Sequence, residues 1–204
     1  MCIIDCPFIN CIKIRTMKKF YALFLMTAFL GFGSCGLLDD LIPDVDTTFS
    51  KTFYIDIGSP SGEEGPETID VNDSEDYEDF EDNIDGFEIN DIKFEISNYD
   101  GPEDMYFRGN IMAVSTDGSE SVIAGTIENF LLNNYADDGM EHEVTEVTEG
   151  LDQIIDWLDS PGNFDLYVSY ELVDGMGNLY DTEGMNYSLD LKLIYYVTVL
   201  TGAK

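Results

Sequence analysis

From residue 47 onward, apolar side chains recur mostly at every second position, the spacing that turns one face of an extended strand toward a core. In residues 47–57 this puts Phe49, Phe53, Ile55 and Ile57 on one side and predicts a strand. Phe87 and Ile89 alternate in one phase, and Ile92, Phe94 and Ile96 in the other. The shift at Asn90-Asp91 therefore predicts a bulge or two short strands. Residues 105–116 and 121–132 are β-prone runs whose connection, Thr116-Asp117-Gly118-Ser119, suits a hairpin turn. Phe164, Leu166, Val168, Tyr170 and Leu172 alternate with Asp165, Tyr167, Ser169, Glu171 and Val173. The last run places Tyr187, Leu189, Leu191, Leu193, Tyr195, Val197 and Val199 on one face, and the loop 174–184 is expected to join these two strands as a hairpin.

Two stretches change period. Ser74 is placed to cap a short helix over 74–84, with Tyr77, Phe80 and Ile84 on one stripe and acids around it. Residues 148–159 carry Leu151, Ile154, Ile155 and Leu158 at helical spacing, and Ser160-Pro161-Gly162 ends the run. Residues 58–73, with three glycines and two prolines, read as a loop. Six or seven alternating strands with turns between them, and no strand-helix-strand rhythm, predict an all-β protein. The expected fold is an antiparallel β-sandwich of one domain with two short helical inserts, at about 74–84 and 148–159.

Charge narrows the partners. The chain holds 42 acidic residues against nine Lys and Arg, a formal net charge of −33. No basic footprint exists to displace counterions from a nucleic acid or to adhere to anionic lipid. Such a surface attracts cations and basic partners, and most of its charge serves solubility. At 44% hydrophobic and 13% aromatic, the chain is nonetheless rich enough to bury a core.

The N-terminus carries a different message. Met17-Lys18-Lys19 supplies a positive start, and Phe20 to Phe32 forms an apolar segment of 13 residues, short for a bilayer span and suited to a secretory signal. Gly33-Ser34-Cys35 follows directly. This resembles the lipobox of bacterial lipoproteins, with Phe32 where leucine is commonest. The resemblance implies cleavage between Ser34 and Cys35, attachment of diacylglycerol to the Cys35 thiol, and acylation, typically with palmitate, of the new N-terminus. The expected order is thus an over-long gene start (1–16), a signal peptide (17–34), a lipidated tether (35–46) and a single acidic sandwich (47–204). Asp39 and Asp40, close behind the cysteine, loosely resemble surface-export signals of Bacteroidetes-type lipoproteins, and the whole resembles small envelope lipoproteins of that kind. The implied location is the cell envelope, lipid-anchored in the outer membrane on its periplasmic or surface face. Removing residues 1–34 leaves 170 residues with five bases (Lys51, Lys93, Arg108, Lys192, Lys204) and 41 acids, a net charge of −36.

Chemistry is sparse in the remainder. All four cysteines, Cys2, Cys6, Cys11 and Cys35, lie in the first sixth of the chain, so the domain has no disulfide and no thiol nucleophile. His142 is the lone histidine, without a serine elbow, and is expected in a solvated acidic loop. Phosphate loops of either Gly-rich type are absent. Among so many acids a catalytic carboxylate pair would arise by chance, leaving glycan hydrolysis as an alternative. Calcium is a second alternative, as in an adhesion module, because carboxylates are hard oxygen ligands. Residues 70–85 align Glu81, Asn83 and Asp85 with EF-hand positions but place Ile92 where the bidentate acid belongs, and Asp174, Asn178, Asp181 and Glu183 share a Gly-rich loop. The expectation is a non-catalytic envelope protein that needs no cofactor. It would engage the membrane through Cys35, and a protein or glycan through its sandwich.

Overall fold

The alternation is realised in nine strands among the residues that the computed structural model describes, which are 43–74, 77 and 83–202. They are β1 (Val45–Asp56), β2 (Ser61–Asp70), β3 (Ile84–Ser97), β4 (Tyr106–Ser115), β5 (Ser121–Leu131), β6 (His142–Glu143), β7 (Thr145–Glu146), β8 (Asn163–Val173) and β9 (Ser188–Thr201). One α-helix, α1 (Thr148–Asp159), precedes β8. Two antiparallel sheets, ordered β1-β9-β3-β6 and β2-β8-β4-β5-β7, face each other across a single core. The antiparallel β-sandwich expected from the pattern is the fold, and residues 43–201 form one compact unit.

The inward residues are those the period picks out. Ile55, Ile92, Phe107, Ile111, Leu166, Val168, Leu189, Leu191 and Leu193 are fully buried. The phase shift at Asn90-Asp91 is a register slip in the β3–β9 pairing between Ile89 and Asp91. It returns Ile92, Phe94 and Ile96 to the core. β4 and β5 form the expected hairpin. In its turn the Asp117 carboxylate accepts hydrogen bonds from the Ser119 hydroxyl, the Ser119 N–H and the Ser115 hydroxyl, which hold it down at about 2.

Helix α1 begins and ends where the stripe predicts. It buries Leu151, Ile154 and Leu158, but the fourth large side chain in the core is Trp157 instead of Ile155, and its ring lies 6.4 Å from Phe164. The helix packs against β3, β5 and β8. The open side it flanks is stitched by β6 and β7. β6 pairs with β3 of one sheet, β7 pairs with β5 of the other, and Val144 between them points into the core. On the opposite side Lys51 sits at an inward position of edge strand β1. Its ammonium escapes to Asp73 at 3.2 Å, and Thr47 meets Ser74 at 3.0 Å, hydroxyl to hydroxyl. An inward charge on an edge strand discourages pairing with another chain.

Three expectations change. Residues 61–70 are a strand and not a loop. β2 contributes only Ile69 to the core and pairs with β8 through its backbone, so it shows no alternation. Its Gly65-Pro66 lies in a bulge where Gly65 has φ +134° and approaches the Leu166 carbonyl, a position open to glycine at a sheet edge. β8 and β9 do not form a hairpin. They belong to different sheets, and residues 174–187 cross between them. Of the insert expected over 74–84, only Ser74, Tyr77, Asn83 and Ile84 are among the described residues. Tyr77 is helical and stacks on Phe87 at 6.4 Å, whereas Ile84 already belongs to β3.

Gly150, in the first turn of α1, lies so close to the Ile123 carbonyl that an added methyl would strike backbone atoms. Helix propensity alone favours Gly150→Ala by about 1 kcal/mol. Overpacking costs roughly 1–3 kcal/mol, and against backbone the upper end applies. Gly150→Ala should therefore lower the urea midpoint, and a rise would contradict this seating of the helix.

Candidate functional site

The strand register divides the sandwich into two ends. β1 enters at Val45 opposite Val199, and β9 ends at Thr201 opposite Ile84, so both termini of the unit share one end with residues 71–74, 116–120 and 160–162. The other end carries residues 57–60, 98–105, 132–141 and 174–187. Large exposed apolar side chains concentrate in this distal half. Tyr54, Met140, Met176, Leu179 and Tyr187 lie there, Met176 being 84% exposed, whereas Ile123 lies in the other half.

Local hydrogen bonds shape the distal loops. The Asp174 carboxylate accepts from the N–H groups of Met176 (2.8 Å) and Asn178 (3.0 Å) and from the Asn178 amide (3.1 Å). Those donors, the Asn178 amide above all, hold it below the usual carboxylate range. Asp181 accepts from the Glu183 N–H. The Tyr180 hydroxyl donates to Asp104 at 2.6 Å, which pushes it up to about 12. In the loop 174–183, the alternative calcium site, Asp174 and Asp181 thus spend their carboxylates on its own turns, and among the described residues no three His, Cys, Asp or Glu converge as a metal-holding group. In the other stretch Glu81 lies outside the described residues, and Ile92 is a core residue of β3.

His142 is not a solvated loop residue. It belongs to β6, and its ring packs 4.4 Å from Tyr135 and 5.4 Å from Phe94. Nε2 is buried 3.2 Å from an Asp138 carboxylate oxygen, yet off the line a hydrogen bond needs. Nearby, Glu146 Oε1 accepts the Ile92 N–H at 2.9 Å. Burial first, then the charges of Asp91 and Glu143, hold the Glu146 carboxyl above its ordinary range. Lys93 lies 3.2 Å from Asp91 and 3.8 Å from Glu143.

Two shallow hollows lie on the outer faces. One, of about 390 Å³ on the four-stranded sheet, is bordered by Asp46, Asn90, Asp91, Lys93 and Tyr196. Its polar groups are committed to one another: Thr198 donates to Asp46 at 2.7 Å, Asn90 donates to Thr198 at 2.8 Å, and Lys93 pairs with Asp91. The other, of about 470 Å³, crosses β2, β8, β4 and β5. Its outward side chains are Ser61, Arg108, Asn110, Thr126, Ser169 and Glu171. They are short beside a single long pair, Arg108 Nε to Glu171 at 2.7 Å. Periodicity could mark these residues only as the outward positions of strands, because which strands adjoin is set by topology.

Cys35, Ser34, the signal segment and most of the tether lie outside the described residues. No family model matches the chain, and no curated protein matches it. Among solved structures the chain is similar to one described as Desmodium yellow mottle tymovirus. The identity is 8% over 78% of this chain and 83% of that one, with a TM-score of 0.34, a likeness that carries no argument.

The Glu146 environment yields a pH dependence. A carboxyl whose folded pKa lies above its unfolded value binds more protons in the native state, so its contribution to stability declines as pH rises from the unfolded value through the folded one. Glu146→Gln keeps an oxygen for the Ile92 N–H and removes the charge. Thermal melts should show the variant gaining on the wild type at pH 7 and losing that advantage near pH 4. An advantage independent of pH would contradict a Glu146 carboxyl held above its ordinary range.

Proposed function

We propose that the chain is a bacterial lipoprotein, cut before Cys35 and anchored through lipid on that thiol, whose sandwich is a non-catalytic binding or accessory structural protein of the cell envelope. The observation that carries this reading is the division of the ends. β1 starts at Val45, ten residues past Cys35, at the end opposite the long loops. Ten residues of extended chain reach at most about 36 Å. A lipid at Cys35 would hold the terminal end near the membrane and present the loops, with Met176 and Leu179 exposed on them, away from it. Acyl chains contribute about 0.8 kcal/mol per buried methylene, enough for stable anchoring when several chains act together.

A carboxylate-based hydrolase needs two uncommitted acids facing one substrate. Asp46 and Asp91 border one hollow, but Thr198 holds the first and Lys93 the second. Calcium-dependent adhesion draws similarly little support from a loop in which Asp174 and Asp181 cap its own turns.

Cys35→Ala tests the anchor. The wild type should incorporate labelled palmitate and stay with membranes through high-salt and carbonate washes. The variant should take up no label and retain its signal segment or leave the membrane on washing, with an unchanged β-type circular dichroism spectrum. Label uptake by the variant would overturn the assignment.

A further inference from the structure

The outer hollow of the five-stranded sheet differs from the rest of the surface in charge. The chain carries −33, yet the side chains of this hollow sum to neutrality, because its one cation, Arg108, faces its one anion, Glu171, on the neighbouring strand. The remainder, Ser61, Asn110, Thr126 and Ser169, are uncharged and offer both donors and acceptors. Thr126 donates to the Asn110 side-chain oxygen at 3.2 Å, a bond that occupies that acceptor. Strands stand about 4.8 Å apart, so a hollow crossing four of them runs roughly 14 Å across the sheet. Its volume of about 470 Å³ falls within the range of about 300–1,000 Å³ usual for small-molecule sites.

Two tyrosines stand on the same outer face, outside the lining of the hollow. Tyr106 stands two residues before Arg108 on β4, and Tyr167 two residues before Ser169 on β8, so the period-two alternation puts both on the same outer face. Both are half-buried. On the other outer face the polar side chains are tied into ladders across β1, β9 and β3.

We propose that this hollow binds a neutral oligosaccharide. Hydroxyl-rich, uncharged chains satisfy a row of mixed donors and acceptors, and Tyr106 and Tyr167 stand one outward position beyond the lining, where a chain longer than the hollow would reach. Anionic glycans and phosphates are disfavoured by the acidic field, and a polycation finds no net charge to bind within the hollow, where Arg108 offsets Glu171. The inference rests on the reading of the domain as a non-catalytic binder and names its ligand class; it does not depend on the lipid.

Titration calorimetry on the full chain in detergent tests it. The probes are neutral gluco-, manno-, galacto- and xylo-oligosaccharides of four to six units, uronate and sulfated oligosaccharides, and oligolysine. At least one neutral probe should bind, and binding should be insensitive to salt. Ser169→Trp, which fills the hollow, and Asn110→Ala should each weaken it tenfold or more, while Lys93→Ala on the opposite sheet leaves it unchanged. Melting curves establish that each variant folds, and should Ser169→Trp fail to fold, Arg108→Ala replaces it. No binding by any neutral probe, unchanged binding in the hollow variants, or tighter salt-sensitive binding of oligolysine overturns the proposal. A protein that takes up palmitate at Cys35 yet binds none of these probes would fail here alone and leave the anchoring intact.

Discussion

Everything in this fold follows from one requirement, that alternate side chains of facing strands fill a single slab between two sheets while both open sides of that slab are closed. The slab itself is built from large residues at fixed period, among them Ile92, Phe107, Phe164, Leu191 and Tyr195. Fully burying such side chains contributes about 1.5–3 kcal/mol each, far above any surface ion pair here. Closure is achieved differently on the two sides. A five-residue segment around Val144 joins β3 to β5 across the gap, with α1 beside it, whereas Lys51 and the turn at residues 71–73 cover the other. Tyr195 shows how fully the slab is dehydrated, since its hydroxyl is buried without a hydrogen-bond partner and burial pushes its pKa well above the ordinary value.

The acids are arranged around that slab rather than inside it. Many serve the backbone locally, as Asp117 and Asp174 do in their turns. Others border cross-strand ladders in which the few bases are shared, so Lys93 answers Asp91 and Glu143 together. Glu146 lies outside the slab too, its carboxyl held by one N–H among like charges. A surface spot where charge cancels is more informative than one more acidic patch.

How much of this was legible in the sequence depended on whether a segment buries its side chains or merely its backbone. β1, β3, β8 and β9 reveal themselves through the period of their apolar residues, and α1 through its stripe. β2 does not, because at the edge of a sheet it needs only main-chain pairing and one core contact at Ile69. The pairing of β8 with β4, and of β9 with β1 and β3, was hidden for another reason: consecutive strands usually adjoin, and nothing in residues 174–187 announces a crossing between sheets. His142 was misread because its flanking acids suggest solvent, while its aromatic neighbours, Tyr135 and Phe94, come from elsewhere in the chain. The hollow around Arg108 and Ser169 is assembled by strand order alone.

The tether is where sequence and architecture must meet. On the proposed reading, a lipid at Cys35 would tether a sandwich whose first strand begins ten residues later, at the end opposite the long loops. Intact-mass measurement of the protein extracted from membranes addresses this most directly. The account predicts a polypeptide beginning at Cys35, lacking residues 1–34 and heavier than its sequence by a diacylglyceryl group and an N-terminal acyl chain. A mature chain with an unmodified Cys35, or one that retains residues 17–34, would contradict it.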